Sequence, residues 1–77
     1  MSSALENIAA KMAEECIAVM KETGDDRLFM EMSTVIGESS QTLEEAFLTE
    51  VRVRMSETKG RAFLKQKLKE HRAKQAE

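Results

Sequence analysis

LENIAAKMAEECIAVM, residues 5–20, decides the fold class. At 100° per residue, Leu5, Ile8, Ala9, Met12, Cys16, Val19 and Met20 fall in one stripe, while Glu6, Lys11, Glu14, Lys21 and Glu22 fall outside it. That is the pattern of an amphipathic helix with one face to cover. Upstream, Ser3 and Glu6 have the spacing of a capping box, in which each side chain satisfies a backbone donor at the helix start. Downstream, Gly24 suits the left-handed position past a helix end, and Asp25 or Asp26 suits the next N-cap. Thr23 to Asp26 therefore reads as a tight turn that sends a second helix back antiparallel to the first.

The second helix is expected over Arg27 to Ile36 and is apolar on more than one side. Leu28, Met32 and Val35 form one face, Phe29 and Ile36 its flank, and Met30 points nearly the opposite way, so neighbours are needed on more than one side. Gly37, Glu38, Ser39 and Ser40 mark a break, after which Thr42 and Glu45 form a second capping box. From there Leu43, Ala46, Phe47, Val51 and Met55 make a stripe that shifts between Ser56 and Gly60 and restarts with Phe63, Leu64 and Leu68. Two readings follow: one long helix kinked or weakened at Gly60, or two helices. A strand over Glu50–Ser56 competes, because Val51 to Met55 alternates strictly, but the chain holds no second alternating run to pair with it. The expected fold is all-α: a dimeric bundle of three or four helices in a single domain over residues 1–77, with residues 72–77 fraying.

Charge divides the chain more sharply than its overall −2 suggests. Residues 1–51 carry eleven acids against three bases, a net −8, and residues 52–77 carry nine bases against three acids, a net +6. Segments so opposed attract each other, a second copy, or two different partners. With 42% hydrophobic and 34% charged residues, no proline and three glycines, the composition is that of a folded helical protein. The longest apolar run, Cys16 to Met20, is far short of the roughly 20 residues of a membrane span. Glu6, Glu14 and Glu15 interrupt the N-terminal apolar stretch, which argues against a secretory signal and for a cytoplasmic location.

Side chains able to do chemistry are scattered. Cys16 is the only cysteine and lies within the apolar stripe one turn from Met12 and Met20, where a thiol is an inert core residue. His71 is the only histidine and sits in the basic tail, far along the chain from Cys16. No ligand spacing suggests a metal site. Glu14-Glu15 and Glu44-Glu45 point about 100° apart on a helix and do not face each other. Gly24, Gly37 and Gly60 never cluster into a phosphate-binding loop, and no Ser or Thr has a nearby histidine to activate it. No catalytic residue, metal or cofactor is expected.

What remains points to binding. Leu28, Phe29, Met30, Met32, Val35 and Ile36 form a greasy segment suited to self-association, and the methionines suit surfaces that must adapt to another protein. Arg61, Lys65, Lys69 and Arg72 follow one helical face at steps of four, four and three, beside a strip made by Leu64, Leu68 and part of His71. Like charges at i,i+4 cost an isolated helix about 0.2–0.5 kcal/mol per pair, so this row gains from an anionic surface. The helix dipole rewards Lys69, Arg72 and Lys74 but leaves Arg52, Arg54, Lys59 and Arg61 unexplained. The expected function is a non-enzymatic protein-interaction module, a regulator, adaptor or secretion-type chaperone, that forms a homodimer and holds another protein. The alternative is a nucleic-acid-associated regulator that binds phosphates through the tail. Net negative charge and the absence of Trp and Tyr for stacking weigh against it. Two leucines are too narrow a strip for an interfacial membrane helix.

Overall fold

The computed structural model describes residues 3–76, which form three helices: α1 (Ala4–Thr23), α2 (Leu28–Ser39) and α3 (Gln41–Ala76). Glu77, the last residue of the segment expected to fray, lies outside the described residues. α1 starts where its sequence predicts, with the Ser3 hydroxyl accepting the Glu6 N–H at 3.1 Å, which is the Ser3 half of the expected capping box. It ends at Gly24, whose φ of 76° places it in the left-handed region and whose N–H donates to the Met20 carbonyl. A side chain there would be strained, which is why glycine stops this helix.

The turn that follows differs in detail from its prediction. Arg27, not an aspartate, occupies the N-cap of α2 and makes no side-chain cap. Asp25 instead accepts the Arg27 N–H at 3.0 Å, an Asx turn that orients the chain one step earlier.

Gly37 does not end α2, which continues to Ser39. A Cβ at this position would meet the end of the Glu44 side chain, so the carboxylate of that α3 residue rests over Gly37. The break itself falls on Ser40 alone. Its N–H donates to the Ile36 carbonyl at 2.9 Å, its hydroxyl accepts the Leu43 N–H at 3.1 Å, and its carbonyl accepts the Glu44 N–H at 3.1 Å. Ser40 therefore closes α2 and caps α3, and the expected capping box at Thr42 and Glu45 is displaced because both residues already lie inside α3. One connecting residue suffices because its extended backbone, φ −155° and ψ 107°, reverses the chain.

The alternating stretch Val51 to Met55 is helical, and no strand occurs among the described residues. On a helix, alternate residues lie about 200° apart, so Val51 is fully buried while Val53 is exposed. The core is small. Ala13, Cys16, Ile36, Phe47 and Val51 form it, with Met12, Met20, Leu28, Phe29, Met32, Leu43, Leu48 and Met55 packed around them. Ala9 and Ala13 are completely buried, and such small side chains let α1 lie close to its neighbours. Arg54 bonds Glu50 one turn back on α3 and reaches Glu14 of α1 at 3.3 Å, fastening the middle of α3 to the outer half of α1. That link and the neighbouring Met20 and Met55 show that α3 runs in the same direction as α1.

α3 is unbroken through Gly60, which settles the choice between one helix and two. Its 36 residues match a rod of about 54 Å at 1.5 Å per residue, and the molecule's longest dimension is 58 Å. The bundle covers only the first half of that rod. Every residue from Ser56 to Ala76 is exposed.

Candidate protein-interaction surface

The projecting half of α3 carries all four of the cations picked out from sequence. Counting 100° per residue, Arg61, Lys65, Lys69 and Arg72 continue the line that Phe47, Val51 and Arg54 occupy inside the bundle. The stripe of α3 that is apolar under cover thus becomes basic where cover ends. Arg61 is tied within the helix to the Glu57 carboxylate, at 2.8 Å from Nη2 and 3.1 Å from Nε. Lys67 lies 3.6 Å from Glu70, with its ammonium 5.7 Å from the centre of the Phe63 ring. Beside the basic row, Leu64 and Leu68 are 67% and 47% exposed, and Phe63 on another side is 61% exposed. Leu64 and Leu68, one turn apart, leave a short apolar strip in water beside the basic row.

The six residues expected to mediate self-association are divided by the fold. Ile36 is buried in the core, and Phe29, Leu28 and Met32 are half-buried against it. Val35 and Met30 remain largely exposed on different sides of α2. Val35, Met32 and Leu28 help to line a groove of about 350 Å³ between α1 and α2, completed by Cys16, Val19 and the two acids Glu15 and Glu31. A second groove, of about 550 Å³, lies between the end of α1 and α3 and is lined by both signs of charge, including Glu14, Lys21, Asp26, Arg54, Glu57 and Lys59.

Sequence reasoning missed the first groove because it assigned the whole apolar stripe of α1 to the core. Ile8 and Val19 are half exposed, since α2 is twelve residues long and cannot cover the full width of a stripe that runs the length of α1. The available signal was the breadth of that stripe, with Ile8 and Val19 at its outer edge.

Cys16 is 3% exposed, with its Sγ 3.9 Å from the Met20 Sδ. Burial raises its thiol pKa above the usual value, and the negative charge of Asp25 adds to the effect, so the nucleophilic thiolate is disfavoured at neutral pH. Native Cys16 is expected to react with a thiol reagent about 100-fold or more slowly than in denaturant, because access requires opening the bundle. Equal rates would place Cys16 on an open face. Arg54 is held charged more firmly than usual, first by its hydrogen bond to Glu50 and then by Glu14, despite opposing desolvation. His71 lies on the exposed tail. Among the described residues no group of three or more His, Cys, Asp or Glu side chains converges to hold a metal, and no helix is long and apolar enough to cross a membrane.

Fold and surface together define an all-helical bundle that extends one amphipathic, basic helix beyond its own core. The chain matches no known protein family, no curated protein and no solved structure.

Proposed function

We propose that the protein is a small, non-enzymatic interaction module, a regulator, adaptor or secretion-type chaperone of the cytoplasm, and that the projecting half of α3 is the element it offers to a protein partner. The observation that carries this reading is the uncovered combination of Leu64 and Leu68 with the row Arg61, Lys65, Lys69 and Arg72. An amphipathic helix binds by laying its apolar strip into a groove, with flanking charges selecting the partner. A groove with acidic rims is the matching surface.

The test separates binding from folding. Lys65 and Lys69 make no contact with the bundle of their own chain, so K65E/K69E is expected to keep its helical circular dichroism and a cooperative melt while abolishing capture of the native protein partner. Leu64→Ala and Leu68→Ala are also expected to keep the helical fold, because neither packs on the bundle of its own chain, but to weaken capture. A reversal variant that melts early yet still binds would make the row structural. Titration with generic duplex DNA over a salt series gives the contrary outcome: four phosphate contacts would produce a slope of log K against log salt near −3.6, about 0.9 per contact. Such a slope, with no protein captured, would replace this reading with a nucleic-acid one.

A further inference from the structure

We infer that the projecting half of α3 lies in the α1/α2 groove of a second copy of this chain, and reciprocally, so that each three-helix bundle acquires a fourth helix from its twin. The inference rests on the interaction reading above and names the occupant of that surface.

Spacing is the first argument. The exposed strip of the tail, Leu64, Leu68 and His71, advances by four and then three residues. The groove wall on α2, Leu28, Met32 and Val35, advances by four and three as well, and the wall on α1 adds Cys16 and Val19, three apart. Seams of this spacing, two turns long, are what neighbouring helices in a bundle present to one another. The groove leaves Val19 and Val35 46% and 65% exposed, and the tail strip has no partner in its own molecule.

Charge is the second argument. Glu15 and Glu31 line the α1/α2 groove and no basic residue does. The tail strip is flanked by Arg61, Lys65 and Arg72 on one side and by Lys67 on the other. The other groove mixes Lys21, Arg54 and Lys59 with its acids and would repel part of the same helix.

The tail cannot reach the groove of its own bundle. α3 is continuous through Gly60 and carries its second half away from the core, and the groove is lined by α1 and α2 alone. A twofold pair removes the difficulty, because each copy supplies one tail and one groove and the contact is the same both ways. Stable interfaces bury roughly 1,200–2,000 Å² in total, and reciprocity contributes two helix-in-groove contacts to that area.

Sedimentation equilibrium with exchanged charges tests the proposal. Wild type is expected to sediment at twice its 8.7 kDa mass. K65E/K69E and E15K/E31K are each expected to sediment as monomers with their helical circular dichroism intact, since all four residues are exposed. An equimolar mixture of the two variants is expected to recover the dimer, because the altered tail of one matches the altered groove of the other and the second contact is wild type on both sides. Val35→Glu, on the groove wall, is expected to give a monomer, and Met30→Glu, on the far side of α2, to remain dimeric. A wild-type monomer at about 100 µM, which excludes an affinity useful for a homodimer, would overturn the second copy as occupant. The interaction reading would survive that result if K65E/K69E still lost its captured protein. A dimer that persists in either charge variant, or a mixture of helical variants that stays monomeric, would overturn the docking itself.

Discussion

Phe47→Ala is expected to leave the chain largely unfolded at room temperature. Phe47 and Val51 are the only large side chains among the described residues to be fully buried, and the other fully buried positions are Ala9 and Ala13. Truncating a buried phenylalanine costs about 3–5 kcal/mol, from lost transfer energy and the cavity left behind. A single core in a chain below about 80 residues rarely supplies more than 3–5 kcal/mol in total, so one substitution removes most of the margin. Far-UV circular dichroism and urea titration would show it as loss of the cooperative transition. Phe63→Ala is the control: the same truncation at an exposed site is expected to shift stability by less than about 0.5 kcal/mol. A cooperative Phe47→Ala protein melting within a few degrees of wild type would mean that the core lies elsewhere.

The second large effect is expected at Gly60, and there it separates binding from stability. Gly60 is helical and exposed, and a Cβ built on it meets nothing within 4 Å. Alanine fits and stabilises the helix by about 1 kcal/mol, whereas proline is about 3 kcal/mol worse than alanine in a helix interior. Proline also removes the N–H at this position and clashes with the Ser56 carbonyl. Because everything from Ser56 onward is exposed, the thermal transition of the bundle is expected to stay put in Gly60→Pro. Binding through the tail should weaken by about 30-fold relative to wild type, the equivalent of the roughly 2 kcal/mol by which proline is worse than glycine. Gly60→Ala should bind at least as tightly as wild type. Equal affinities for the proline and alanine variants would show that the tail does not bind as a continuation of α3.

Residues governed by local chemistry were readable from sequence. Ser3 capped α1, Gly24 ended it in the left-handed conformation, and the stripe from Leu5 to Met20 placed Ala9 and Cys16 inward, although it left out the fully buried Ala13 and included the half-exposed Ile8 and Val19. Where tertiary contact decides, sequence misled. Gly37 looked like a terminator because a glycine followed by Glu-Ser-Ser commonly is one, yet it holds its place within α2 against Glu44. Ser40 caps α3 two residues ahead of Thr42, and serine is the better cap former of the two, a preference the capping-box spacing of Thr42 and Glu45 masked. The Glu14–Arg54 link joins residues forty positions apart and has no local signature. The basic row was legible as a row, but its freedom from the bundle was not, because nothing in Ser56 to Gly60 records where α1 stops.

The Ser40 cap and packing against α1 and α2 hold residues 41–55 in helical geometry, and this changes what residues 56–76 must do to be ordered. An isolated helix has to nucleate, an improbable event weighted at about 10⁻³, before favourable propagation begins. The free half of α3 never faces that step. It extends a helix that the bundle has already started, one residue at a time, so its order decays gradually toward the C-terminus and does not melt as a unit. The entropic cost of ordering this helix is thus largely met before any encounter, at the near end most of all, and on the proposed reading a partner would zip onto it from the bundle outward.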